Sequence, residues 1–461
     1  MNLLRSSVRK IVNFQMKLKK SLKMHVFYGR MVEMKKILGK ESVKMVQKKF
    51  VPILLGSDMN VYGMAKSFHE AYGIKSEAHA GIVLAPTKDS QIVTVHPTEG
   101  FDKDPIFTQT LLELAQTTYN QSDVTYLLIP CGDGYAELLS QNKAVLAPYY
   151  TFIANDYDLF KNLVNKVAFY DICEKYKLPY PKTKIITKDA LKSGKYEEPL
   201  PFDFPVALKP ANSVEWLSVE FEGRKKAFII HDRNEFDVII ERIYQAGYQS
   251  EMIAQDFIPG DDSNMRVLNA YVDHNHQVRL MGLGHPLLED PSPASVGNYV
   301  VILPDEDEKL YHRIEKFLKD INYVGFANFD LKYDARDDEY KLFEINLRQG
   351  RSSFFLTLNG LNLAKFITDD LVFNREFKGT VYGKRNSEQS KLWLGVPKKV
   401  FLAYANENAE KERGKKLLQA GRWGTTIFYK KDHSLSRFLR MKWAFYKYNE
   451  RFKKYFEVKE G

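Results

Sequence analysis

The stretch from Val324 to Phe355, VGFANFDLKYDARDDEYKLFEINLRQGRSSFF, constrains this chain more than any other. Two alternating runs, Gly325 to Tyr333 and Tyr340 to Asn346, flank a polar turn over Asp334–Glu339, which is the pattern of an antiparallel hairpin. Glu344 and Asn346 stand two apart, so both side chains leave the same face of their strand. If pairing sets Asp330 opposite them, three oxygen-bearing groups meet at one point, a donor set for a hard cation such as Mg²⁺. Arg348 and Arg351, with Gly350 between them, continue the run, and two guanidiniums beside a carboxylate-held metal suit a phosphate or a carboxylate substrate. An isolated Asp and Glu-x-Asn more often face water from a surface hairpin. Here Phe326, Phe329, Leu331, Leu342 and Phe343 make both strands apolar enough for a core, and acids on core strands need a counter-charge.

At 461 residues the chain is too long for one simple core, so two or three domains are expected. Two cysteines, Cys131 and Cys173, form no CxxC, which suits a reducing cytoplasm and argues against a structural zinc. No run approaches 18 apolar residues and the N-terminus lacks the apolar core of a signal peptide, so neither a spanning helix nor export is expected. The net charge of +10 conceals a polarised chain. Residues 1–49 hold 14 Lys and Arg against two acids, and 374–461 hold 22 against nine, which leaves 50–373 at −15. Basic ends on an acidic body suggest an anionic surface as partner for the ends, either lipid or nucleic acid.

The first 49 residues read as a basic helical extension, either lying on an anionic bilayer or a lysine-rich, partly disordered or protein-packed segment. From Phe50 the strand FVPILLG, a helix over Ser57–Tyr72, strands at Gly81–Ala85 and Gln91–Val95, a helix over Pro105–Asn120 and the strand TYLLIP alternate, predicting a small parallel sheet covered by helices. The turn CGDGY at 131–135 opens a helix whose backbone amides suit an anionic group, although it is neither GxGxxG nor a Walker A sequence. A helix from Asn165 ends before two prolines near Leu178. Lys209 closes the buried strand FPVALKP, where a lysine needs an anion or a route to water. Strands follow at EMIAQDFIPG, 266–273 and 277–286, and the Pro-, Ser- and Gly-rich loop 288–298 is expected to be mobile. Beyond the hairpin come a helix at Leu361–Phe373, a strand VFLAYA at 400–405 and a helix at Glu407–Ala420. A final basic amphipathic helix carries Phe438, Met441, Phe445, Tyr448, Phe452 and Tyr455 on one stripe, facing either a membrane or the protein itself.

This order of elements resembles the ATP-grasp superfamily over about 50–373, through Lys166, FPVALKP with Lys209, AQDFIPGDD with Gln255 to Asp262, NFDLKYD with Asp330, and FEINLRQGRSSFF with Glu344, Asn346 and Arg348. The run from Glu344 to Phe355 is similar to the D-aspartate ligases, carboxylate–amine ligases that build the peptidoglycan cross-bridge. The resemblance implies an α+β fold of ATP-grasp architecture, with a small α/β pre-ATP-grasp domain at 50–150 and an ATP-grasp domain of two subdomains at 151–373, set between the basic helical ends read from charge at 1–49 and 374–461. It implies ATP and Mg²⁺, with Lys166 and Lys209 on the phosphates, Gln255, Phe257 and Ile258 lining the adenine slot, and Asp261 or Asp262 on the ribose. Asp330, Glu344 and Asn346 would be the magnesium ligands. Gln255 departs from the Glu that many members carry there, which leaves the ribose contacts open.

The implied reaction converts a carboxylate to an acylphosphate and then to an amide. Lys209, Arg266 and Arg348 would offset the charge of two anions, and closing the 288–298 loop would exclude water. Arg348, Arg351, Ser352 and Ser353 would bind the amino acid. The expected partners are an amino acid, D-aspartate by resemblance, and an amine acceptor on a cell-wall precursor, in the cytoplasm or at an anionic membrane, with no specific nucleic acid. Two alternatives remain at this stage: an ATP-grasp ligase of other substrates, or an inactive ATP-grasp body that binds membrane or nucleic acid.

Overall fold

Short apolar runs bounded by turn residues dictate the first layer of the structure. A computed structural model describes residues 49–457 apart from 194–198, 217, 294 and 296, so the basic extension expected over 1–49 lies, Lys49 aside, outside the described residues. Strands β1 (Lys49–Leu55), β2 (Ser76–Ala80), β3 (Val93–Pro97) and β4 (Val124–Pro130) form a sheet of order β3-β2-β1-β4, in which β1, β2 and β3 are parallel. Ile53, Leu54 and Leu55 are all buried, as expected of a strand covered on both faces. Helices α1 (Met59–Tyr72), α2 (Ile106–Thr117) and α3 (Asp133–Gln141) alternate with the strands. Asp58 caps α1 by accepting from the N–H groups of Asn60 and Val61, and Gly73, at φ +68°, ends it in the left-handed conformation. The second strand is Ser76–Ala80, not Gly81–Ala85. Pairing of Glu77 with Ile53 exhausts the sheet before Gly81, and Ile82, Val83 and Leu84 sit exposed in the loop that follows. The third strand begins two residues later than expected, at Val93.

Helices α4 (Tyr157–Val164) and α5 (Lys166–Lys175) lead to a second sheet. Its strands β5 (Thr183–Ile186), β6 (Val206–Pro210), β7 (Phe228–Ile230) and β8 (Met252–Asp256) take the order β5-β8-β6-β7, with antiparallel pairs. Helix α6 (Arg233–Gln245) buries Phe236, Ile240 and Ile243, spaced three and four apart, against Val206, Leu208 and Ile230.

The large sheet comprises β9 (Met265–Val272), β10 (Val278–Glu289), β11 (Tyr299–Asp305), β12 (Gly325–Asp334), β13 (Glu339–Asn346), β14 (Val381–Tyr382), β15 (Leu392–Leu394) and β16 (Trp423–Gly424). Its order is β13-β12-β9-β10-β11-β15-β16, with β14 on β10. Strand alternation gives it two cores. Leu268, Ala270, Phe329 and Leu331 pack with helix α7 (Glu308–Asp320) on one face, while Val267, Tyr271 and Phe326 pack on the other with α1, α8 (Phe354–Leu358) and α9 (Leu363–Leu371).

The segment expected as a strand at 400–405 is instead part of helix α10 (Lys398–Tyr404). Val400, Phe401 and the half-buried Tyr404 share its inner face and Leu402 points out, a helical period that a six-residue apolar run cannot announce. Helices α11 (Ala409–Gln419) and α12 (Leu435–Tyr455) complete the described chain. The aromatic stripe of α12 faces the protein: Met441 and Phe452 are buried, Phe445 stands edge-on to Phe428, and Phe452 meets Tyr404. The loop after β10 is tied at its base, where Arg451 of α12 reaches the fully buried Asp290 at 2.6 Å. No helix among the described residues is long and apolar enough to cross a membrane.

Candidate active site

Register builds the centre of the site. β12 and β13 pair antiparallel with Asp330 directly opposite Glu344 and Asn328 opposite Asn346. The register shifts just past Asp330, so that Leu331 meets Leu342 and Phe343 is the extra residue of a bulge. On its other side β12 sets Asp330 opposite Val267 and Asn328 opposite Asn269. Directly opposed residues share a face, so one patch carries Asn269, Asn328, Asp330, Glu344 and Asn346. Asn328 Nδ2 donates to Asn269 Oδ1 at 2.8 Å, and the buried Tyr299 lies beside Asp330. Burial, and then the charge of Glu344, pushes the Asp330 carboxyl above the usual carboxylate range. Two opposed carboxylates and an amide oxygen fit a hard divalent ion: they are oxygen donors, and their mutual repulsion is what such an ion relieves. Among the described residues no three acids, histidines or cysteines gather as a full cage. Mg²⁺ takes few protein ligands and fills the rest of its shell with phosphate oxygens and water.

Two lysines reach the same place from other elements. Lys166 opens α5, whose cap Asn165 accepts from the N–H groups of Val167 and Ala168, and its Nζ lies 4.0 Å from Glu344 Oε2. Lys209, on β6 of the smaller antiparallel sheet, donates to Tyr170 Oη at 3.3 Å and stands 5.4 Å above the ring of Phe343. Burial pulls Lys209 down to about 8 against the opposing charge of Glu344. Burial, then the charge of Lys209, lowers Lys166. Two weakly solvated ammoniums side by side favour an anion between them.

The residues expected around adenine and ribose form the connection from β8 to β9. Gln255 is buried and donates from Nε2 to Thr183 Oγ1 at 3.0 Å. Lys332 Nζ lies 5.2 Å above the Phe257 ring and donates to the carbonyls of Ile258 and Gly260, both at 2.7 Å. Asp261 accepts from the N–H of Ser263 and from Asn406, while Asp262 accepts from the N–H of Glu289 at 3.1 Å. Both acids therefore already serve the turn that starts β9.

Arg348 links this patch to the parallel sheet. Its Nη2 lies 3.0 Å from Asp133 Oδ2 and 3.3 Å from Asn346 Oδ1, while its Nε is buried with no partner among the described residues. The CGDGY turn thus presents its own anion, Asp133 in the first turn of α3, to the hairpin. Asp58 lies near as well. Burial raises its carboxyl against the opposing N–H groups of Val61 and Asn60 and the charges of Arg348 and Arg351. Arg351 donates from Nη2 to Tyr448 Oη at 2.7 Å. Ser352 and Ser353 are buried, and the Ser353 hydroxyl bonds Asn269 Oδ1 and accepts from the N–H of Gly350, so it braces the turn.

Arg266 stands apart from the group expected around it. Its register opposite Leu331 turns it to the other face of the sheet, where its Nε lies 2.9 Å from Asp305 Oδ2. Sequence reasoning also missed Asp58, Asp133, Asn269, Asn328 and Tyr299. Asp58 carries an N-cap signal and Asp133 sits in a turn already singled out, but the other three lie on strands whose partners the sequence does not reveal.

Paired lysines facing paired carboxylates between the four-stranded antiparallel sheet and the large mixed sheet, with a parallel sheet supplying a third wall, define an ATP-grasp ligase. The fold is similar to the biotin carboxylase domain of Hydrogenobacter thermophilus 2-oxoglutarate carboxylase, with a TM-score of 0.54 over 71% of each chain at 13% identity. It is also similar to the Staphylococcus aureus N5-carboxyaminoimidazole synthetase, with a TM-score of 0.51 over 74% of this chain and 81% of that one at 13% identity. No family model matches the chain. In sequence it is 64% identical over 414 residues to the D-aspartate ligase of Enterococcus faecium (strain Aus0004), covering 90% of this chain and 98% of that one. The chain belongs to the D-aspartate ligase family.

Proposed function

We propose that this protein joins a carboxylate of D-aspartate to an amine of a peptidoglycan precursor, with ATP converted to ADP and phosphate, in the cytoplasm where ATP is available. The observation that carries the reading is the approach of Lys166 to 4.0 Å from Glu344, itself directly opposite Asp330, with Lys209 over the ring of the adjacent Phe343. The 64% identity to a D-aspartate ligase supports the choice of amino acid.

A carboxylate resists attack by an amine, so an oxygen of D-aspartate first attacks the γ-phosphorus and ADP departs with the electrons of the broken P–O bond. The amine nitrogen then attacks the acyl carbon, loses a proton, and phosphate leaves. Lys166 and Lys209 hold the phosphates, and the connection from Gln255 to Asp262 borders the nucleotide. Asp330, Glu344 and Asn346 hold Mg²⁺, which when bound offsets the charge of the phosphates. Arg348 exchanges Asp133 for the substrate carboxylate, and the displaced Asp133 and nearby Asp58 face the substrate ammonium. Arg348 also stabilises the charge that develops on the acyl oxygen.

Hydroxylamine traps an acylphosphate as a hydroxamate and tests the first half-reaction without the natural acceptor. With ATP and Mg²⁺, aspartyl hydroxamate and ADP should accumulate with D-aspartate and at least about tenfold more slowly with L-aspartate. ADP formation that ignores the amino acid, or equal turnover of the two enantiomers, would defeat the proposal. A lysine-containing stem peptide in place of hydroxylamine should give a product heavier by one aspartyl unit.

A further inference from the structure

We infer that the outward face of α12 docks on an anionic lipid bilayer. The inference does not depend on which amide the site makes. The helix carries two apolar stripes. The inner one, with Met441 and Phe452, is spent on the protein, but Leu435, Leu439, Trp443 and Tyr446 recur at intervals of four, four and three residues on the opposite side. They are 71%, 59%, 58% and 53% exposed. A surface helix with a single buried face places polar residues outward, so a continuous stripe of two leucines, a tryptophan and a tyrosine calls for a partner.

Charge selects the partner. Lys442, Lys447, Lys453 and Lys454 are exposed around the stripe, and Glu450 is the acid among them. Lys447 Nζ lies 4.8 Å above the Trp443 ring, and Lys399 of the neighbouring α10 lies 5.7 Å from the Tyr446 ring centre. Leucines flanked by amphipathic aromatic rings and snorkelling lysines match the boundary between headgroups and acyl chains, where the rings and ammoniums stay wet and the leucines do not. Anionic headgroups complement the lysines.

The stripe is not exposed through fraying, because the helix is anchored along its length. Arg437 lies 3.5 Å above the Tyr62 ring, Arg440 donates to the Lys88 carbonyl at 3.0 Å, and Arg451 holds Asp290. Tyr448 of the same helix receives Arg351 from the active-site turn, so docking would orient the site relative to the bilayer.

The full-length protein should sediment with vesicles of phosphatidylcholine mixed with phosphatidylglycerol and not with phosphatidylcholine alone, and binding should weaken with salt. The double substitution Leu439→Glu and Trp443→Glu should reduce that binding about tenfold or more while leaving the melting temperature and solution ADP formation unchanged. In Leu439→Glu alone, the blue shift of tryptophan emission on vesicles should shrink. Full vesicle binding by the folded double variant would overturn the inference. So would conversion of a dimer to a monomer by the same substitutions, since the face would then be an interface between two copies.

Discussion

Asp330 and Lys209 are held out of their ordinary protonation behaviour by burial, and each makes a prediction whose sign is fixed. The Asp330 carboxyl is raised, so its folded form favours the proton. That contribution to stability is complete at low pH and is lost as pH climbs from the unfolded value near 4 through the higher folded value. Asp330→Asn should therefore stabilise the metal-free protein at pH 7.5, by about 1 kcal/mol or a few degrees of melting temperature, with the gain shrinking toward pH 4. It should also abolish turnover. Thermal melts across pH with and without MgADP check both parts, and a melting temperature lowered at pH 7.5 would contradict the first. Lys209 has the opposite sense: it loses its proton near pH 8 instead of 10.5, and a bound triphosphate would restore it. ATP affinity should fall as pH rises above 8, by up to about tenfold per pH unit, with proton uptake on binding. Calorimetry in buffers of different ionisation enthalpy measures that uptake, and Lys209→Met should lose both the slope and the uptake.

At the scale of elements, the turn from β13 into α8 decides where Arg348 points. A Cβ on Gly350 would come within 2.9 Å of Arg348 Nη1 and 3.2 Å of Asn328 Oδ1. The arginine tip can swing, so Gly350→Ala should cost little stability but lower kcat/KM by up to about 100-fold through misplacement of the guanidinium. Steady-state kinetics beside a thermal melt separates the two, and an active Gly350→Ala enzyme would mean that Arg348 does not need its present position. The element scale is also where sequence reading was strongest and weakest. The hairpin was legible because its alternation and its polar turn agree. β2 and α10 were not. GIVLA and VFLAYA are short apolar runs with no period of their own, and sheet register and Pro397 at the cap of α10 decided their form. The two stripes of α12 were read as one for a related reason: a helix apolar on both sides does not reveal which side meets the protein.

On the scale of the whole molecule, the segment around Asp432 ties the C-terminal helix to the small parallel sheet and its first helix. Asp432 accepts from Tyr62 Oη, Ser90 Oγ and the N–H of Gln91, and Arg437 lies 3.4 Å from it. Asp432→Ala would leave Arg437 buried without its counter-charge, at about 3–5 kcal/mol. A lowered melting temperature, with early proteolytic release of the C-terminal segment, is the expected result, and an unchanged melt would show that the network is dispensable. What the sequence by itself determined is the chemistry and its order along the chain: two lysines, a hairpin of acids and amide, and arginines after it, because side-chain period and turn residues are local properties. Only the tertiary structure decided which of those residues meet. Arg266 left the group because its register turned it to the other face, Asp58 and Asp133 joined from the parallel sheet, and Ser353 became a brace. Such choices depend on pairing between strands distant in sequence, which local pattern does not encode.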